Sequence, residues 1–218
     1  MMHHPFSIFD PHRDHTDVRL FTKADEPLNE DGLVSLKQLH GNTVIIARSP
    51  SRREKEADGV LTDQPDLTLT IRIADCQAFV VYAPDQQVIG LLHAGWKGLV
   101  SGIIPAFFET MQREWHVDPA TVLIGAAPSL CTKCADFTDP IKELTGIDPR
   151  FFDGRHANLR AIADDQLLQC GVKLEHIERL QDCTKCHPDF YWTYRGGDRE
   201  AVRKGSTNIL TCMMKKRQ

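Results

Sequence analysis

Val88-Ile89-Gly90-Leu91-Leu92-His93-Ala94-Gly95-Trp96-Lys97-Gly98-Leu99 is the stretch that decides the fold. Its first half is a short apolar run that reads as a strand over 88–93. Its second half turns through two glycines into Leu99, Ile103, Phe107 and Met111, which recur at helical spacing and predict a helix over 97–115 with one buried stripe. Working outward, segments 59–62, 67–73 and 78–82 read as strands, the last joined to 88–93 by a turn at Pro84-Asp85, a plausible hairpin. Further out, 18–22, 43–47, 122–125, 177–180 and 208–213 read as strands. Residues 140–145 and 158–170 read as helices, the second stopping at Gly171. The charged segment 49–56 reads as a loop, and 1–31 as polar chain with only the strand at 18–22. Strands dominate the middle with helices between them and no repeat or linker, so one α/β domain over 1–218 is expected.

Composition narrows the function classes. The 218 residues are 41% hydrophobic and 26% charged, ordinary for a globular protein with a sizeable core. A net charge of −4 gives no reason to expect a nucleic-acid partner. The apolar runs are too short to span a bilayer, so no membrane partner is expected. The start Met1-Met2-His3-His4-Pro5 lacks the build of a signal peptide, and a cytoplasmic location is the expectation. Seven cysteines, an odd number, argue against a disulfide framework in a reducing compartment.

Three phrases carry chemistry: Gln38-Leu39-His40-Gly41, Ala74-Asp75-Cys76 and His93-Ala94-Gly95-Trp96-Lys97-Gly98. They offer two imidazoles and one thiol at the edges of strand-like runs, a set that suits zinc and leaves a fourth position open. Each has a plainer reading. His40 alone resembles a surface histidine before a Gly-Asn turn, and a lone Cys76 is usually inert packing. Asp75 orients a ligand, assists proton transfer or merely fixes a turn. Lys97 and Arg195 neutralise phosphate or are solvated charges. Trp96, Tyr191 and Trp192 stack on a base or pack. The glycine-rich turn after His93 sets an imidazole beside a helix N-terminus, where an anion is favoured, or serves packing alone.

These phrases, with Ala57-Asp58-Gly59, Pro128-Ser129-Leu130 and Cys183-Thr184, fall in the order of the laccase-domain family, whose bacterial members are called YfiH-like or polyphenol oxidase proteins. The chain resembles that family over about 34–195. The resemblance implies a layered α/β sandwich with a mixed central sheet, and zinc held by His40, Cys76 and His93, with copper the less fitting metal. It implies phosphorolysis of purine nucleosides (adenosine, inosine, guanosine or methylthioadenosine), with adenosine deamination at the same site. The implied partners are a purine nucleoside and phosphate, with the chain a monomer or small homo-oligomer. His40, Cys76, His93 and Asp75 are then the catalytic group, and Lys97 and Arg195 the substrate contacts. Lys97 stands where the family pattern has Arg, and Thr193-Tyr194-Arg195 where it has Ser-x-Arg. Ala126-Ala127-Pro128 replaces a Gly-Pro phrase. The section before Gln38 is short and lacks the family's Gly-Gly-x-Ser and Asn-Arg phrases.

The oxidase name is a poor fit. A multicopper site demands many histidines, commonly as His-x-His; this chain has ten histidines and no such pair. Two rival readings stay open. One is an amide hydrolase editing peptidoglycan precursors, with Cys76 as nucleophile. The other is a catalytically impaired homologue that keeps zinc for stability or partner binding.

Cys131-Thr132-Lys133-Cys134 and Cys183-Thr184-Lys185-Cys186 repeat one tetrapeptide. Two C-x-x-C knuckles make a structural zinc site or are separate free thiols; their separation exceeds the usual ribbon spacing. The phrase Cys183 to His187 also spells a haem-attachment signature, which has no export signal or axial partner behind it.

Overall fold

The computed structural model describes residues 2–216. Fourteen strands form in chain order: β1 (Met2–His3), β2 (Thr16–Phe21), β3 (Val34–Lys37), β4 (Val44–Ile46), β5 (Ser51–Glu56), β6 (Gly59–Thr62), β7 (Leu69–Ile73), β8 (Gln77–Ala83), β9 (Val88–Ala94), β10 (Leu123–Ala126), β11 (Phe152–Asp153), β12 (His156–Ala157), β13 (Ile177–Arg179) and β14 (Asn208–Met214). The α-helices are α1 (Trp96–Ser101), α2 (Ile103–Trp115), α3 (Pro140–Glu143), α4 (Leu159–Gln169) and α5 (Arg199–Arg203).

Two six-stranded sheets are stacked. The outer sheet runs β1-β2-β14-β7-β3-β5 and the central sheet β13-β10-β8-β9-β6-β4. Both are mixed: β3 pairs in parallel with β5 and β7, and β4 with β6, whereas β8 and β9 pair antiparallel as a hairpin. The central sheet is apolar on both faces because it is covered on both. Along β8, Ala78, Val80 and Tyr82 join the core against the outer sheet, with Leu20, Leu69, Ile71 and Leu210. The alternate residues Phe79, Val81 and Ala83 join a second core against Ile103, Phe107 and Met111 of α2 and Ile162 of α4. The molecule is therefore a layered α/β sandwich with a mixed central sheet. Gly90 lets α2 settle this closely, since a Cβ there would lie 2.7 Å from Phe107 Cζ.

Two expectations need correction. The charged segment 49–56 is not all loop: Ser51–Glu56 is the edge strand β5. Its backbone pairs with β3 while nearly all its side chains face solvent, the way charged residues blunt a sheet edge. The helix over 97–115 is two helices, broken at Gly102, which adopts a left-handed φ of 80° and caps α1. The outer-sheet strand β3 and the two-residue strand β1 went unread in the polar N-terminal third.

Candidate active site

The site lies where the chain crosses between the sheets. Ala74-Asp75-Cys76 is the connection from β7 in the outer sheet to β8 in the central one, and His40 sits in the connection from β3 to β4. His93 is near the end of β9, beside α1. Gln38 extends the β3–β7 pairing beyond its last ladder bond: its Nε2 donates to the Arg72 carbonyl and its Oε1 accepts from the Arg72 N–H, both at 2.8 Å. That pairing fixes where the next two residues emerge.

His40 then takes a left-handed φ of 62°, held by one buried carboxylate. Asp58 accepts the backbone N–H groups of Leu39, His40 and Gly41 at 3.2, 2.9 and 2.8 Å. The same carboxylate accepts the Nδ1–H of His93 at 2.8 Å. Burial works against its charge, but the bonds from His93, Gly41 and His40 hold the Asp58 carboxyl below the usual range. With Nδ1 committed to Asp58, the His93 ring has only Nε2 to offer a ligand, the arrangement in which a carboxylate fixes a metal-binding tautomer.

Donor atoms of His40, Cys76 and His93 all lie within 4.8 Å of one another. The two imidazoles meet edge to face, centroids 4.9 Å apart. His40 is exposed, Cys76 half-buried and His93 buried. Burial opposes a Cys76 thiolate, but the two histidines bring the thiol down to about 6. Burial likewise opposes a charged His93, but Asp58 and Cys76 raise it to about 9. Gly95 completes the cradle: a Cβ there would stand 2.9 Å from both Cys76 Sγ and His40 Cδ2. Two imidazoles and a thiol of depressed pKa, packed around a position where a methyl does not fit, are a donor set suited to zinc.

Asp75 is buried, with a left-handed φ of 87°. Its carboxylate accepts the hydroxyls of Thr184 and Thr193 at 2.7 and 2.6 Å and the Arg195 N–H at 2.7 Å. It thus bolts the far C-terminal segment to the site. Arg195 lies over the Phe137 ring and donates to the Asp136 carbonyl; Lys97 is exposed above Trp96. The donor triad opens into a cavity of about 670 Å³ whose lining carries six cations: Arg53, Arg72, Lys97, Arg195, Arg203 and Lys204. Asp75 is its sole carboxylate among the described residues. Sequence reasoning named the triad, Asp75, Lys97 and Arg195 but gave Asp58 no role and missed Arg53, Arg72, Arg203 and Lys204. Only the phrase Ala57-Asp58-Gly59 pointed near one of them.

A family model described as multi-copper polyphenol oxidoreductase laccase matches residues 12–212. The chain belongs to this laccase family. The purine nucleoside phosphorylase YlmD of Geobacillus stearothermophilus is 28% identical over 148 residues, 63% of this chain and 54% of that protein. A mouse purine nucleoside phosphorylase is 27% identical over 179 residues, 76% of this chain and 40% of that one. An adenosine deaminase from an unknown prokaryotic organism is 28% identical over 202 residues, 83% of this chain and 76% of the other. The chain spans about half the length of the curated phosphorylases it matches. Among solved structures, YfiH of Bacillus licheniformis gives a TM-score of 0.75 at 21% identity, covering 86% of this chain and 76% of that one. That of YlmD gives 0.74 at 23%, covering 86% and 75%. At such identities the likeness speaks for the fold.

Proposed function

We propose that the chain is a single-domain, zinc-dependent purine nucleoside phosphorylase, with adenosine deamination as a second activity of the same centre. The observation that carries this reading is the donor triad in the lining of a cavity that also carries six cations. Arg72 is ion-paired with the buried Glu30, but the other five cations face one lining carboxylate, Asp75; on a chain of net charge −4 that local excess marks a place for an anion such as phosphate. The volume suits a ligand of nucleoside size. Relatives named purine nucleoside phosphorylase support the chemistry, and the relative named adenosine deaminase, matched over 83% of this chain, supports the second activity.

His40, Cys76 and His93 would hold the metal, and Asp58 fixes His93 in the tautomer that frees Nε2. Zinc bound there supplies Lewis-acid chemistry toward a phosphate oxygen or a water. Lys97 and Arg195 neutralise phosphate as its oxygen closes on C1′ of the ribose. The C1′–N bond breaks with its electron pair going to the base, which takes up a proton. Trp96 also lines the cavity, packed edge-to-face on Phe137 with Lys97 over its ring, and so holds Lys97 at the wall. Asp75, with three donors already on it, positions the Arg195 segment rather than moving a proton. Among the described residues, no donor group combines more than two histidines, so the copper clusters of a multicopper oxidase have no ligand set in it.

The test is incubation of the purified full chain, zinc-loaded, with inosine or adenosine and inorganic phosphate. Free base and ribose 1-phosphate are expected, abolished by a chelator and by Cys76→Ala. Adenosine without phosphate should yield inosine and ammonia. A zinc-loaded protein that releases neither base nor ammonia refutes the reading.

A further inference from the structure

The two Cys-Thr-Lys-Cys phrases, with 48 residues between them along the chain, lie face to face. Each is folded as a tight turn: Cys134 N–H donates to the Cys131 carbonyl at 3.0 Å, and Cys186 N–H to the Cys183 carbonyl at 3.1 Å. Their four sulfurs all lie within 4.8 Å of one another. Cys134 and Cys186 sulfurs are 3.6 Å apart, and those of Cys131 and Cys186 4.0 Å. Four thiolates at about 2.3 Å from a tetrahedral zinc stand about 3.8 Å from each other. The 3.6 and 4.0 Å separations bracket that value and are nearly twice a disulfide bond of about 2.05 Å. A sulfur-bound N–H is also present, from Cys131 to Cys183 Sγ at 3.2 Å, the kind of outer bond that steadies a metal-bound thiolate.

The surroundings need such a fastening. From residue 180 to 198 the chain has no helix or strand, although it carries Thr184, Thr193 and Arg195 to Asp75. The apolar cluster beneath it is small, and two of its buried members are Cys134 and Cys183 themselves. Arg160 on α4 draws the two approaches together, donating to the Leu130 and Gln181 carbonyls at 3.1 and 3.0 Å. Lys133 and Lys185, exposed at the third position of each turn, offset the net negative charge of four thiolates around a divalent ion.

We propose that Cys131, Cys134, Cys183 and Cys186 form a second, four-thiolate zinc site, separate from the His40–Cys76–His93 triad. It pins the irregular 181–195 segment against the 129–137 loop and so holds the cation-bearing wall of the cavity in place. The site is closed, with no donor position left for substrate, and its role is structural.

The test uses the full chain purified under reducing, anaerobic conditions, with cobalt(II) and zinc as probes. The variant His40→Ala/Cys76→Ala/His93→Ala should still bind one equivalent of cobalt. Its spectrum should carry the thiolate charge-transfer and strong visible bands of tetrahedral four-sulfur cobalt. Cys131→Ser/Cys186→Ser should lose one of two metal equivalents and those bands, and trypsin should cut at Lys185 faster than in the natural chain. Failure of the triple variant to bind cobalt, or a spectrum without sulfur ligation, overturns the proposal. So does a thiol count showing four of the seven cysteines paired as disulfides. If the triple variant does not fold, zinc X-ray absorption on the natural chain decides. A sulfur-dominated shell near 2.3 Å supports the site, and a shell of one sulfur to two nitrogens overturns it. None of these readouts depends on phosphorolysis.

Discussion

Adding one methyl at Gly95 should disable the triad while leaving the backbone unstrained. Gly95 has φ −69° and ψ 166°, an extended conformation open to alanine. The new Cβ would lie 2.9 Å from Cys76 Sγ and 2.9 Å from His40 Cδ2. A comfortable contact is about 3.5 Å or more, so each donor must withdraw by about 0.6 Å. Metal–ligand distances tolerate only about 0.2 Å, so the donors cannot both retreat and remain in bonding reach. Overpacking of this kind costs about 1–3 kcal/mol, which is about 5- to 150-fold in zinc affinity. Gly41→Ala is the matched control, because its Cβ meets nothing nearer than Asp58 Oδ2 at 3.8 Å. Zinc affinity is read by competition with a chromogenic chelator, and circular dichroism confirms that both variants are folded. Alanine is a poorer helix cap than glycine, so some loss of thermal stability in Gly95→Ala is expected and is not the diagnostic. If Gly95→Ala binds zinc within about twofold of the natural chain, the three donors do not share one ion and the reasoning fails.

Asp58→Asn removes the charge that accepts three backbone N–H groups and His93; zinc affinity should fall about 10- to 100-fold, and the metal-free chain should lose about 3 kcal/mol in urea titration. Lys97→Ala should raise the KM for phosphate several-fold while leaving that for nucleoside nearly unchanged, read by initial rates at varied phosphate. Asp17 gives a pH signature away from the site. Burial opposes its charge, but Arg19 and His3 hold its carboxyl below the usual range. The ionised form therefore stabilises the fold above about pH 4, and that contribution is lost as pH falls through the lowered value. Asp17→Asn should cost about 1 kcal/mol at neutral pH and nothing at about pH 2, measured by denaturant titration across the range.

The parts of the fold that announced themselves in the sequence are those whose burial is complete. Along β8 and β9 both faces are covered, so nearly every residue is apolar and the runs could not be mistaken. β5 gave no such sign because only its backbone takes part in the sheet; Arg52, Glu54, Lys55 and Glu56 turn their side chains to solvent, and Arg53 lines the open cavity. The break at Gly102 was hidden for the opposite reason. Leu99 before it and Ile103, Phe107 and Met111 after it keep facing the same core, so the periodicity runs through. At the site, His40, Cys76 and His93 could be named because the three phrases that carry them fall in the family's order; taken singly among ten histidines and seven cysteines, each had a plainer reading. Asp58's part could not be read, since its role is to collect three N–H groups from a loop 17 to 19 residues upstream. The partners of Asp75 lie 109 to 120 residues downstream. Spacing along a chain carries no trace of such meetings.

The position of β14 has a consequence for how this protein is made. It lies inside the outer sheet, antiparallel to both β2 and β7. During translation those two strands emerge early and must wait, each with an open row of amide and carbonyl groups, for a partner encoded far downstream. The nascent polypeptide therefore carries a gap one strand wide until residues 208–214 clear the ribosome. A product interrupted before that point keeps both raw edges, and its fate should be aggregation or degradation rather than survival as a shorter working form.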